Sequence, residues 1–330
     1  MNKVRVGVAG LAHIHVGGYL EILGGHPDAL LMGVWDEDEG RSAELAGRSQ
    51  VPACHSLEDL LGLGLDLLVV CSENTRHLLP VLGAAEAGVH VLCEKPLGTD
   101  LDQMGRMIAA CREAGVGLMT AFPNRYVPDL VRARELVRGG GLGELRAVKA
   151  TNKGKMPGGF FIDPALSGGG SLMDHVVHVA DLMNWFLEDV PEWVCALSGT
   201  VLHPELTVDD VSMVHFGYPG GVTVTLDSSW SRSEKFPSDR NLTLDLMGTE
   251  GTLAVDIVTD HSRILSDRAD RELYLDFGEN KVRRMLYDAV DRVLKGESFA
   301  VTGEDGLRAA AVALAAIDSA RTGRTQPVRL

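Results

Sequence analysis

Two short stretches hold residues whose types and spacing could do chemistry. The first is Gly10-Leu11-Ala12-His13-Ile14-His15, a turn between the apolar run VRVGVA and a helical pattern. A strand that feeds a helix through such a turn presents backbone N–H groups with little side-chain bulk, which suits the pyrophosphate of a dinucleotide. Only Gly10 of the three glycines in G-x-G-x-x-G is present; Ala12 and His15 hold the other two places. An alanine methyl is tolerable near a pyrophosphate, whereas His15 is expected to loosen the packing of the helix on the strand. Asp36 ends the next apolar run, where a carboxylate can accept both hydroxyls of an adenosine ribose. Glu37, Asp38 and Glu39 follow it and would repel a 2′-phosphate, so NAD is expected over NADP.

The second stretch is Gly168-Gly169-Gly170 and the segment SLMDHVVH after it. Asp174 and His178 stand four residues apart and so share a helix face. Asp174-His175-x-x-His178 also has the spacing of part of a metal site. No metal is expected there, nor at His13 and His15, which are two residues apart with no carboxylate near them in the chain. Five cysteines at wide spacing and without C-x-x-C read as reduced, mostly buried thiols rather than zinc ligands.

The elements that must position these residues are legible as patterns. Residues 4–9, 29–36, 65–71, 89–94 and 116–122 are continuous apolar runs of strand length, as expected of strands buried on both faces. Helical segments lie between them, two closing on Gly88 and Gly115. Strand and helix in alternation predict an α/β fold with a doubly wound parallel sheet of Rossmann type over residues 1–122. Beyond Pro123 the pattern changes to a helix over 128–138 and longer alternating strands, with hairpins at Tyr218-Pro219-Gly220-Gly221 and Thr249-Glu250. Residues 123–330 are therefore expected to form an α+β domain on a large, mainly antiparallel open sheet, one face of which is expected to pair with another subunit. Thr302 to Asp305 reads as a capping box before a C-terminal helix at about 306–321, expected to pack back towards the first domain.

Length and composition agree. The 330 residues suit two domains, and 45% hydrophobic with 23% charged residues is the make-up of a folded globular chain. A formal net charge of −15 argues against nucleic acid and anionic membrane surfaces as partners. No apolar run is long enough to span a bilayer, and MNKVRVGVAG lacks the pattern of a secretion signal, so a cytoplasmic location is expected.

At Glu94-Lys95-Pro96 the chain resembles the Gfo/Idh/MocA family, which includes glucose-fructose oxidoreductase and inositol dehydrogenase. The resemblance runs from VVCSENTRHLLP through AAEAGVHVLCEKPLGTD, AFPNRY and GGGSLMDHVVHVADLMNWF to the final VTGEDGLRAAAVALAA. It implies that Lys95 lies at the carboxyl end of a fifth strand, beside the nicotinamide and the reacting hydroxyl. Asp174 and His178 match the family's D-x-G-x-H, with Val176 in place of its glycine. In the oxidation of a secondary alcohol, His178 is then the candidate base, Asp174 orients it or binds a neighbouring hydroxyl, and Lys95 polarises the oxygen. The resemblance further implies that Gly10, Ala12, His13, Ile14, Asp36, Ser72, Asn74, His77, Glu94 and Lys95 line the cofactor site. Arg125, after a sixth strand, is expected to contact substrate or hold the domain junction, and His175 to face substrate or pack as a neutral imidazole. Lys153 and Lys155, on a glycine-rich loop, are candidates to meet hydroxyls or a carboxylate. The implied activity is hydride transfer between NAD and a secondary hydroxyl of a sugar, sugar acid or cyclitol. Two alternatives use the same fold: glycoside cleavage or elimination with internal redox cycling of NAD, and a non-catalytic dinucleotide sensor.

Overall fold

The computed structural model describes residues 3–236, 242–258 and 280–330, and the backbone of 261–266 and 271–276. Five strands, β1 (Val4–Ala9), β2 (Ala29–Trp35), β3 (Leu67–Val70), β4 (His90–Cys93) and β5 (Leu118–Thr120), form a parallel sheet in the order β2-β1-β3-β4-β5. The residues of β1, β3, β4 and β5 are almost all buried, as continuous apolar runs with helices on both faces require, while the edge strand β2 is partly exposed. The crossovers carry α1 (Val16–Gly24), α2 (Glu39–Ser49), α3 (Leu57–Leu61), α4 (Leu78–Glu86) and α5 (Leu101–Glu113).

The strand counts implied by the resemblance run one higher than this sheet. A single parallel bridge, Val34 to Ala53, stands where a further strand would lie outside β2. Pro52 has no N–H to donate, which keeps that segment from extending into a ladder. Lys95 therefore follows the fourth complete strand and Asn124 the fifth.

The second sheet has the order β11-β10-β6-β9-β8-β7-β14. It comprises β6 (Leu145–Asn152), β7 (Trp193–Gly199), β8 (Val211–Gly217), β9 (Thr223–Asp227), β10 (Leu242–Gly248), β11 (Thr252–Asp256) and the short β14 (Gln326–Pro327). Only β6 and β9 pair in parallel; both expected hairpins form, as β8 to β9 and β10 to β11. A separate hairpin joins β12 (His261–Ser266) and β13 (Arg271–Asp276). One face of the large sheet is covered by α6 (Pro128–Arg138), α8 (Ser171–Leu187) and α10 (Gly303–Thr322), while the short α7 (Pro164–Ser167) and α9 (Lys281–Lys295) flank the two sheets. The other face is open, with Leu197 72% and Met213 48% exposed directly opposite each other across β7 and β8.

The capping box at Thr302 and Asp305 is present, but α10 begins at Gly303, earlier than the periodicity suggested. It packs on α8 and β7 and also on α5 and β5, joining the two sheets.

Candidate active site

The site is assembled from strand ends of both sheets and from the helices α8 and α9. After β1, Gly10 takes φ +70°, and a Cβ there would stand 2.4 Å from Cβ of Ser72, so only glycine lets this turn close against the end of β3. The crevice between the carboxyl ends of β1 and β3 is where open α/β sheets bind ligands. Ser72 Oγ, Asn74 Oδ1 and His13 Nε2, all on segments bordering it, are buried with no hydrogen-bond partner among the described residues. Such orphaned polar atoms around a side-chain-free turn fit a dinucleotide, whose hydroxyls and phosphates would satisfy them. Asp36, 7% exposed, accepts hydrogen bonds from the backbone N–H groups of Leu11 and Asp38, which fixes its carboxylate at the end of β2.

His15 does not loosen α1. Tyr19, Leu20 and Leu23 of that helix are almost fully buried, and the His15 ring sits outside them, its Nδ1 3.0 Å from Glu94 Oε1. His13 Nδ1 lies 3.5 Å from the same oxygen. The reason for expecting no ligand cluster here, that no carboxylate is near, holds in the sequence but not in space: the donor atoms of His13, His15 and Glu94 lie within 4.8 Å of one another. The contact ties the dinucleotide turn to the strand end that carries Lys95. Burial alone would raise the Glu94 carboxyl, but the two imidazoles hold it well below the usual range.

His13 is 1% exposed, and burial pushes its imidazole down to about 3. In the unfolded chain the same group takes up a proton near 6.5. Stability from keeping it neutral is thus complete above that value and lost as pH falls towards the folded one. From pH 8 to pH 5 the loss from this residue is roughly 2 kcal/mol. Thermal unfolding should show a Tm that declines over this range in the parent and declines less in His13→Gln. Equal slopes in the two proteins would contradict the assignment.

At the centre, Lys95 Nζ donates to Asp174 Oδ1 at 2.5 Å, and both residues are buried. The remaining Asp174 oxygen accepts from Trp230 Nε1 at 3.1 Å and lies 3.2 Å from His175 Nε2. Burial would raise the Asp174 carboxyl, yet the Lys95 ammonium, with His175, holds it well below the ordinary carboxylate range. Asp174 is therefore committed to Lys95 and Trp230, and the expectation that it orients His178 is corrected. His178 lines the same cavity with its Nδ1 buried and unpartnered among the described residues. Burial, reinforced by Lys95, drives its pKa well below that of free imidazole and keeps the ring neutral.

Lys95, Asp174 and His178 line one cavity of about 510 Å³, together with His13, Ile14, His15, Lys155 and His175. Val176, at the family's glycine position, is fully buried in the core and does not line the cavity. His175 is a packed imidazole that also reaches the cavity wall, its Nδ1 3.0 Å from the Ser228 carbonyl oxygen.

Three expected contacts lie elsewhere. The Arg125 guanidinium is 2.6 Å from Asp181 and 3.1 Å from Asp305, so of its two expected roles it takes the domain junction, tying the end of the first domain to α8 and α10, and not the substrate contact. Lys153 is tied to Asp227 at 2.8 Å and does not line the cavity. His77 has its ring nitrogens 3.1 Å and 3.3 Å from the carbonyl oxygens of Leu97 and Ser72, so it braces the two loops without facing the cleft. Sequence reasoning missed Trp230 and Lys281. The sequence signal for Trp230 was its place at the end of an alternating strand, where a buried indole N–H must find an acceptor. Lys281 opens α9 and donates to Asn124 Oδ1 at 2.7 Å on the cavity wall.

Fold and site together define an NAD-binding oxidoreductase of Rossmann type. Residues 4–122 match the oxidoreductase family with an NAD-binding Rossmann fold, and residues 130–254 match the Gfo/Idh/MocA C-terminal domain, so the chain belongs to the Gfo/Idh/MocA family. It is 27% identical to the myo-inositol 2-dehydrogenase of Thermotoga maritima over 98% of each chain. It is 28% identical to the 1,5-anhydro-D-fructose reductase of Ensifer adhaerens over 83% of each. Among solved structures, GenD2 from gentamicin A biosynthesis, in complex with NAD, superposes with a TM-score of 0.88 at 25% identity, covering 100% of this chain and 97% of that one.

Proposed function

We propose that this oxidoreductase is an NAD-dependent dehydrogenase acting on a secondary hydroxyl of a sugar, sugar acid or cyclitol. The observation that carries the reading is the convergence of Lys95, Asp174 and His178 on one cavity beside the dinucleotide turn. In this reading residues 1–122 form the cofactor domain and 123–330 the substrate domain. Gly10, Ala12, His13, Ile14, Asp36, Ser72, Asn74 and Glu94 would hold the dinucleotide, with His77 bracing the loops beneath it. When bound, the nicotinamide supplies the acceptor or donor of hydride.

The chain's own residues do the rest. Neutral His178 takes the hydroxyl proton. Lys95, held in place by Asp174, donates to the oxygen and stabilises the negative charge that grows there. Trp230 and His175 keep the Asp174 carboxylate fixed while this happens. Incubation with NAD and a polyol panel should generate NADH from at least one member; aglycone release from a glycoside without net NADH would instead favour internal redox cycling.

NAD is favoured over NADP because Asp36 is positioned by two backbone donors where a 2′-phosphate would meet its charge. The nearby cations Arg41 and Arg76 are drawn to Asp36, Glu37 and Glu73. Asp36→Ala should weaken NAD by about tenfold, the scale of lost hydrogen bonds to a charged group, and NADP far less. Equal NAD and NADP affinities in the parent would contradict this. The open apolar face around Leu197 and Met213 is the proposed contact of a homodimer or homotetramer. Among the described residues no helix is long and apolar enough to cross a membrane, and the proposed location is the cytoplasm.

A further inference from the structure

The charge of the cleft differs from that of the chain around it. The whole sequence carries a formal −15, yet the Lys, Asp and Glu residues lining the cavity are Lys95, Lys155, Lys281 and Asp174. Lys95 and Asp174 neutralise each other at 2.5 Å. Lys155 is half-buried on the loop after β6, and its ammonium has no hydrogen-bond or ion-pair partner among the described residues. Its neighbour Lys153 is already engaged by Asp227. The loop is pressed onto the site: a Cβ on Gly154 would stand 2.5 Å from His175 Cε1, so the backbone just before Lys155 lies directly against the catalytic helix. Lys281 adds a second ammonium from α9, on the same cavity wall as Asn124.

A partly dehydrated, unpartnered ammonium in a cleft favours an incoming anion over a neutral hydroxyl, because a charge-assisted bond is stronger than a neutral one. A carboxylate is the anion that a single lysine beside a polyol site fits; a phosphate typically draws backbone N–H clusters or arginines as well. We infer that the substrate carries a carboxylate, placing it among the aldonic and uronic acids, and that Lys155 is the ion-pair partner of that group. The inference rests on the proposed dehydrogenase reading and narrows it, leaving Lys95 and His178 for the hydroxyl that reacts.

Titration calorimetry on the protein, with and without NADH, tests it on matched probes: D-gluconate against D-glucitol, and D-galacturonate against D-galactose, with D-glucitol 6-phosphate as a phosphate arm. The acids should bind at least about tenfold more tightly than their neutral partners. Lys155→Gln should bring the acids to the neutral level, Lys155→Arg should retain the preference, and NADH affinity should be the same in all three proteins. The inference is overturned if acid and neutral members bind alike or not at all. It also falls if the phosphate binds more tightly than the carboxylates, if Lys155→Gln keeps the preference, or if that variant loses NADH instead. Preferential binding of acids without NADH formation from any of them would leave the inference standing and remove the dehydrogenase reading.

Discussion

Replacing Lys95 by alanine is expected to lower kcat by about 10²-fold or more, the scale of a charge-stabilising donor removed from a buried site. Lys95 is 4% exposed and is the only ammonium within reach of Asp174 among the described residues. The substitution therefore does two things at once. It takes away the proposed donor to the reacting oxygen, and it leaves a buried carboxylate whose remaining partners are Trp230 and His175. An uncompensated buried charge of this kind costs about 3 to 5 kcal/mol. Tm and turnover should consequently fall together in Lys95→Ala. In Lys95→Ala/Asp174→Asn the buried charge is gone, so stability should recover while turnover does not. NAD affinity should be close to the parent in both, because Lys95 is committed to Asp174 and not to the dinucleotide turn. Turnover that recovers along with stability would remove Lys95 from the chemistry.

The second large effect is expected at His178. His178→Ala should lower kcat by roughly 10²- to 10⁴-fold, the range found for positioned general bases. The pH dependence is the sharper reading. Burial and the neighbouring Lys95 hold the His178 pKa well below 6.5, so the ring is already neutral at pH values where a free histidine would be protonated. The acidic limb of the kcat profile should thus lie below the ordinary histidine range, with activity kept as pH falls through 6.5. A limb centred near 6.5 in the parent, or full turnover in His178→Ala, would assign the base elsewhere.

What the sequence revealed and what it hid divide along the distance over which a signal acts. Apolar runs such as Val4–Ala9 and Leu67–Val70, the helix Pro128–Arg138 and the capping pair Thr302 and Asp305 are local signals, and each forms its element. The same holds for Asp174 and His178, which share α8 because four residues make about one turn. The polar contacts that give the site its chemistry are long-range. Asp174 is oriented by Trp230 from the end of β9, and Glu94 meets His15 across the first sheet. The start of α8 is capped by Asp209, whose carboxylate accepts from Ser171 Oγ at 2.7 Å and from the Leu172 N–H at 2.8 Å. Nothing in the order of residues marks such pairs, because the fold alone brings them together. Arg125 had two expected roles, substrate contact or domain junction, and only the partners brought up by the fold, buried Asp181 and half-buried Asp305, select the second.

In the proposed function Lys95, Asp174 and His178 serve hydride exchange between the dinucleotide and a carbinol carbon. The most direct measurement is isotope transfer: polyols and sugar acids deuterated at the carbinol carbon are incubated with the protein and NAD, and the recovered NADH is weighed by mass spectrometry. The parent should yield a single deuterium in NADH, and transfer should be slowed by about 10²-fold or more in His178→Ala. A parent protein that binds NADH yet moves no deuterium from any compound in the panel would contradict the proposed function.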